Sequence, residues 1–211
     1  MPRLAAVGPC RHSRRMGTTR KRQRVLIING SSSGENGNTA VLIERAARTL
    51  RRRAAVTSVV LAAGMSYVDV RRKLAGADAL LIGTGTYWDG WSHHLQRMLE
   101  DATPDEGTSL WFGKPAAVVV TMHAVGGKAV LSRLQGVLNT LGCAIPPMSG
   151  LVYSLVNQAA IQAGAKGAND LWCVEDVDTI CENLLTALTP SAKYRAWPTD
   201  RRSFRDKWIA G

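Results

Sequence analysis

Between Ile28 and Thr39 the chain reads INGSSSGENGNT, with three serines, three glycines, a single carboxylate and no lysine. Small residues let the backbone approach a ligand closely, and hydroxyls and amides supply neutral hydrogen-bonding groups. A helix that follows such a loop adds unpaired N–H groups and about half a positive charge at its start. Ser31, Ser33, Gly37, Asn38 and Thr39 therefore make a candidate phosphate cradle. It is not a P-loop, because Asn38 stands where the lysine belongs and Ser32 is five residues before Gly37. Nor is it the dinucleotide GxGxxG pattern. Without the lysine a triphosphate is disfavoured and a monophosphate held by neutral groups is favoured. Taken alone, the stretch is equally a polar turn before a well-capped helix.

Two further loops carry suitable chemistry. Gly83-Thr-Gly-Thr-Tyr-Trp-Asp-Gly-Trp-Ser92 places Tyr87, Trp88 and Trp91 among glycines. Its GxGxxW lacks a third glycine and is weak as a dinucleotide signal. Aromatics with backbone amides suit a planar ring with polar edges, or a contact with a second copy of the chain. Thr121-Met-His-Ala-Val-Gly-Gly127 ends in paired glycines that expose backbone amides, and His123 is a weak candidate for proton transfer. A lone loop histidine is more often structural. His93 and His94 are adjacent at a helix start and are expected to point to different faces, a poor metal pair. No metal site is expected.

The elements that must position these loops follow from periodicity. Val25–Ile28, Ala79–Ile82 and Ala116–Val120 are continuous apolar runs, the pattern of strands buried on both faces of a parallel sheet. Val56–Leu61 and Cys143–Pro147 read as two more strands. Apolar residues at helical spacing (Leu42, Ile43, Ala46, Leu50) follow the first strand, with Asn38 or Thr39 as cap. A weaker helix covers Asp69–Leu74, and Ser92 caps one carrying Leu95, Met98 and Leu99. The clearest helix presents Val130, Leu131, Leu134, Val137, Leu138 and Leu141, and the last carries Val177, Ile180, Cys181, Leu184 and Leu185. Gln158–Asp170, rich in Ala and Gly, matches no element. Strands alternating with helices imply a three-layer α/β sandwich on a five-stranded parallel sheet. In such sheets ligands bind beyond the carboxyl ends of the strands, where all three loops lie.

With 211 residues and a net charge of +11, the chain suits one domain with an unusual charge. The first 24 residues hold eight of the 27 Lys and Arg and no acid, so the remainder is nearly balanced, 19 basic against 16 acidic. The basicity belongs to an arm over residues 1–23, read as a disordered extension ahead of a domain over 24–190; a start at Met16 is one variant of that reading. Nucleic acid or anionic lipid is the less favoured partner of the arm. It has no apolar stretch for a secretory signal, and no run is long enough to span a bilayer. Residues 191–211 form a basic and aromatic tail. Cys10, Cys143, Cys173 and Cys181 show no metal or CxxC spacing, so a reducing compartment, the cytoplasm, is expected. Cys143 and Cys181 read as core residues.

Arg24 to Gly150 resembles the NADPH-dependent FMN reductase family of the flavodoxin-like superfamily. Gly30-Ser31 and Gly37-Asn38-Thr39 are similar to its first loop. Thr84, Tyr87, Trp88, Ser92 and Leu95 are similar to its T-P-x-Y-W-x-x-x-S-x-x-L-K motif. Gly113 to Thr121 with Gly126-Gly127 is similar to its third. Ser32-Ser33 replaces the family's Pro-Arg, and Gly85 stands where proline is usual. The resemblance implies a flavodoxin-like sheet of order 2-1-3-4-5, FMN as cofactor and NAD(P)H as co-substrate. It implies the phosphate on Ser31, Ser33, Gly37, Asn38 and Thr39. The ring system would lie against Thr84, Thr86, Tyr87, Trp88, Asp89 and Gly90 and against Met122, His123, Gly126 and Gly127. It further implies cofactor-borne chemistry, a small electron acceptor (quinone, flavin, nitro or azo compound) and a homodimer or homotetramer. Loss of the arginine implies weaker FMN binding than in relatives that keep it. A flavodoxin-type electron carrier is disfavoured by the slightly basic core; a non-enzymatic binding module with a basic arm is the other alternative.

Overall fold

The computed structural model describes residues 22–165 and 171–189. The arm and tail expected at the two ends lie outside them, except for Arg22 and Gln23. Five strands, β1 (Arg24–Asn29), β2 (Ala55–Val60), β3 (Ala79–Gly85), β4 (Ala116–Met122) and β5 (Gly150–Ser154), form one sheet. All pairings are parallel and the order is β2-β1-β3-β4-β5. The flavodoxin-like order is thus borne out. Parallel neighbours need crossovers, and six helices supply and flank them: α1 (Asn38–Arg51), α2 (Tyr67–Ala75), α3 (His93–Asp101), α4 (Gly127–Leu141), α5 (Leu155–Gln162) and α6 (Val177–Thr186).

The apolar runs of β1, β3 and β4 are buried on both faces. Alternate residues feed two cores. Leu26, Ile28, Leu80 and Val118 pack with α2, α3 and α4, around the fully buried Trp111. Val25, Ile27, Leu81 and Val119 pack under α1 and α6. Among the large side chains with almost no exposure are Leu26, Ile27, Ile28, Leu80, Leu81 and Ile82. At roughly 1.5–3 kcal/mol per buried aliphatic side chain, this central run fixes strand position more firmly than any single polar contact. β2 is an edge strand, with three of its six residues exposed.

One strand differs from expectation. Cys143–Pro147 is not β5; it makes only a bridge between Ala144 and Pro115. Gly142, at φ +113°, closes α4 in the left-handed region, and Pro146 and Pro147 bring no N–H to a ladder. β5 begins after them, where Gly150 pairs Val118 and Ser154 pairs Met122. Cys143 and Cys181 are buried in the two cores as expected. α5 begins before the stretch that matched no element and takes in its start, Gln158–Gln162. No helix among the described residues is long and apolar enough to cross a membrane.

Candidate functional site

The register sets the site. Asn29 pairs Gly83, Gly85 pairs Thr121 and Met122 pairs Ser154, so four strands end on the same edge. The chain leaves β1 toward β2 on one side and returns to β3 on the other, opening a crevice between the loops after β1 and β3. A cavity of about 290 Å³ lies there. It is lined by Ser31, Ser33, Asn38 and Thr39 from the first loop, Gly85, Thr86 and Tyr87 from the second, Thr121, Met122 and His123 from the third, and Tyr153 and Leu155 from β5 and α5. A larger groove of about 660 Å³ runs between α1 and β2. Its charged lining (Glu35, Glu44, Arg45, Arg48 and Arg51) comes mainly from α1, whereas the smaller cavity gathers polar groups from the loops after β1, β3 and β4.

Local chemistry explains the shape of the first loop. The buried Asn29 accepts from the N–H of Ser31 (3.0 Å) and donates to the carbonyl of Gly34 (2.9 Å). Gly34 and Asn36 close short turns back to Ser31 and Ser33. Gly37 is the residue before α1, and no side chain caps the helix. The expected cap on Asn38 or Thr39 is therefore absent. Thr39 Oγ1 instead meets Thr121 Oγ1 at 2.8 Å, tying the helix start to the end of β4. First-turn N–H groups without a side-chain partner stand beside four small polar residues, the arrangement that favours an anion. None of the lining residues is Lys or Arg. The cradle is neutral.

The second loop is fastened from below. Ser92 caps α3 by accepting from Leu95 N–H, and its hydroxyl also donates to the carbonyl of Gly30. Gly30 N–H in turn donates to Gly83 at 2.7 Å. Trp88 and Asp89 both take positive φ, +48° and +58°, in a tight turn closed by two hydrogen bonds between Tyr87 and Gly90. That conformation suits aspartate but is costly for tryptophan, and it holds Trp88 fully exposed at the loop tip. Trp91 packs on the α4 side of the core, with Arg133 over its ring at 5.9 Å. Of the three aromatics only Tyr87 lines the cavity.

Thr84 is fully buried and donates to the carbonyl of Gly85 (3.1 Å). Thr86 has a buried hydroxyl with no hydrogen-bond partner among the described residues, at the cavity wall. Gly126, at φ +85°, sits against Asp89: an added Cβ would lie 2.0 Å from its carboxylate oxygen, so the second and third loops touch there. Gly127 donates to Met122 Sδ at 3.3 Å and starts α4. His123 is exposed, and its carbonyl accepts from Val156 N–H. The rings of His93 and His94 lie 3.8 Å apart, so these side chains do not diverge as their adjacency suggests. Burial is the larger influence lowering His94 below the ordinary histidine range, with His93 adding to it.

The structure thus brings Ser31, Ser33, Asn38, Thr39, Thr86, Tyr87, Met122 and His123 together around one cavity. Gly37, Gly90, Gly126 and Gly127 shape its loops, while Thr84, Trp88 and Asp89 lie outside the lining. Tyr153 and Leu155 also line the cavity and are not among the residues expected from the sequence, because β5 follows Cys143–Pro147 instead of occupying it. Their signal was available in the short run Leu151-Val-Tyr ending in Ser154, which caps α5.

The model of one family, described as NADPH-dependent FMN reductase, matches residues 23–158. A 2-hydroxy-1,4-benzoquinone reductase from Burkholderia sp. is 29% identical over 133 residues, covering 63% of this chain and 66% of that protein. Among solved structures, RosB with bound 8-demethyl-8-formylriboflavin-5'-phosphate superposes with TM-score 0.64 at 14% identity, covering 89% of this chain and 95% of RosB. A flavodoxin from the domain Archaea gives TM-score 0.58 at 13% identity, covering 80% and 100%. At these identities the two structures speak for the fold.

Proposed function

The chain belongs to the NADPH-dependent FMN reductase family, and from that premise we propose that it is an FMN-dependent NAD(P)H oxidoreductase delivering electrons to a small planar acceptor, a quinone ahead of flavin, nitro or azo compounds. The observation that carries this reading is the neutral cradle at the start of α1, opening into a cavity walled by the loops after β3 and β4. The quinone preference is supported by the relative that is 29% identical.

The residues present suit the cofactor that family membership brings. Ser31, Ser33, Asn38 and Thr39, with the first N–H groups of α1, would hold the monophosphate. The partnerless hydroxyl of Thr86 is a polar group at the wall with bonding capacity to spare, as the edge of a polar ring requires. Gly126 and Gly127 let the third loop approach the same space. Once FMN is bound, hydride acceptance and electron delivery are its own chemistry; the chain supplies grip, orientation and access. Half-exposed Leu155 on the lining gives a flat acceptor an apolar edge to lie on. Nothing in the arrangement requires His123 to move a proton.

The test is a visible spectrum of the purified protein, then anaerobic addition of NADPH and NADH, then oxidants. Bleaching of the flavin bands by either nucleotide and their return with a benzoquinone is the expected result. A protein that fails to take up FMN on reconstitution refutes the proposal. One that binds FMN but is not reduced by either nucleotide is a carrier instead.

A further inference from the structure

Tyr87 does something that neither its loop nor its residue type requires. Its ring turns back along the end of β3 and reaches the loop after β1, 56 residues away in sequence. There the phenolic oxygen accepts a hydrogen bond from the N–H of Ser32 at 3.0 Å and lies 3.1 Å from Ser31 Oγ. Ser31 Oγ also accepts from Ser33 N–H at 3.3 Å. An oxygen held by a backbone N–H and a serine hydroxyl, beside the uncapped start of a helix, has the surroundings that a phosphate oxygen seeks. Burial pushes the Tyr87 phenol up, yet the hydrogen bonds from Ser31, Ser32 and Ser33 outweigh it, and the group titrates below its ordinary value. A donor set that favours a phenolate favours other anions for the same reason.

The backbone leaves room for this pose at one residue. A Cβ on Gly85 would stand 3.0 to 3.1 Å from Cε2, Cζ and the hydroxyl of Tyr87, tighter than ordinary contact. The main chain around the ring is pinned by Thr86 N–H to Thr121 (2.8 Å) and by the Tyr87–Gly90 pair. Rotation of the Tyr87 side chain is therefore the movement that would free the two groups, with the loop left in place.

We propose that the Tyr87 hydroxyl competes with the phosphate of the incoming ligand for Ser31 Oγ and the Ser32 N–H, so that Tyr87 sets how tightly a phosphate monoester is held. The inference rests on the reading of the first loop as a phosphate cradle and assigns its control to a residue of the second. The apparent affinity of a site is reduced by the fraction of molecules in which it is open. Two hydrogen bonds of ordinary net strength make that factor about ten, which corresponds to about 1.4 kcal/mol.

The experiment titrates the full chain, Tyr87→Phe and Gly85→Ala with FMN and with riboflavin, which has the same ring and no phosphate, by flavin fluorescence. Tyr87→Phe is expected to bind FMN about tenfold more tightly than the unaltered chain while its riboflavin affinity stays the same. Gly85→Ala, which keeps the hydroxyl but displaces the ring, shifts FMN in the same direction. Inorganic phosphate added to the unaltered chain perturbs the tyrosine absorbance, and that signal is missing in Tyr87→Phe. Weaker FMN binding in Tyr87→Phe makes the hydroxyl a phosphate ligand and overturns the competition. Equal changes for FMN and riboflavin also overturn it, since they report a ring contact. If FMN binds no better than riboflavin in all three proteins, the cradle itself is misread; if FMN is preferred but Tyr87→Phe leaves that preference unchanged, only the competition fails.

Discussion

Gly83 is the place where the fold and the candidate cradle share one dimension. It lies in β3, and α1 passes so close that an added Cβ would stand 2.8 Å from Ile43 Cδ1 and 2.9 Å from Thr39 Cγ2. Its φ is not in the left-handed region, so alanine there is a purely steric insertion. The end of Ile43 can swing aside. Thr39 cannot do so freely, because it is buried and its hydroxyl meets Thr121 at 2.8 Å. Overpacking of such a contact costs about 1–3 kcal/mol. With a urea slope of about 1–3 kcal/mol per M for a small domain, the midpoint of Gly83→Ala should fall by about 1 M. Thr39→Ser removes the obstructing methyl and keeps the hydroxyl, and Ile43→Val removes Cδ1 at a cost of about 0.5–1.5 kcal/mol by itself. Each double mutant should therefore be more stable than the sum of its singles by about 1 kcal/mol, the range found for residues in contact. An unchanged midpoint for Gly83→Ala, or strict additivity in both cycles, refutes the claim that α1 is seated through this glycine.

The other expectations concern how the loops and helices are tied. Ser92→Ala removes the α3 cap and leaves the buried carbonyl of Gly30 without its side-chain donor, so a loss of about 1–3 kcal/mol is expected in urea unfolding. Asp178 joins α6 to α1 through Arg45 and Thr49, each at 2.6 Å, and the Arg45 hydrogen bond leads in holding its carboxyl below the usual range. Because the folded value is depressed, the contribution is present above the unfolded value near 3.8 and is lost as pH falls through the folded one. Asp178→Asn should flatten stability over that acid window, by no more than about 1 kcal/mol since the pair is partly exposed. Burial pushes the thiols of Cys143 and Cys181 up to about 12, so in native protein near neutral pH a thiol reagent should label both more slowly than the half-buried Cys173. Fast labelling of either, read by peptide mass, would contradict their placement in the cores.

What the sequence made legible was what short-range pattern encodes. β1, β3 and β4 each carry a continuous apolar run (Val25–Ile28, Ala79–Ile82 and Ala116–Val120), the pattern of a strand buried on both faces. The first loop was legible as a polar loop at the carboxyl edge of the sheet, because serine, glycine and asparagine replace the apolar pattern where β1 ends. β5 was misplaced because Cys143-Ala-Ile has the more apolar start, and what excludes it is a left-handed Gly142 before it and two prolines after it. That error removed Tyr153 and Leu155 from the site in one step, since a shifted strand shifts every residue it delivers.

The fold-back of Tyr87 lies beyond short-range pattern altogether. Tyrosine next to tryptophan in a glycine-rich loop suggests ring contact with a ligand, and composition cannot say that its hydroxyl would settle among serines 55 and 56 residues earlier. Three conditions must coincide: a neutral cradle with no arginine to occupy it, a glycine at 85 that leaves space for the ring, and a pinned turn that aims the side chain inward. Each is visible as a residue; their conjunction exists only when β1 and β3 lie side by side. A loop that holds its ligand by neutral groups alone can be occupied by a neutral phenol, whereas an arginine there would favour the phosphate by charge. On this argument, restoring the cation by Ser33→Arg should narrow the affinity gap between Tyr87 and Tyr87→Phe for FMN. A gap that persists in the arginine background would show that charge does not decide which oxygen the cradle holds.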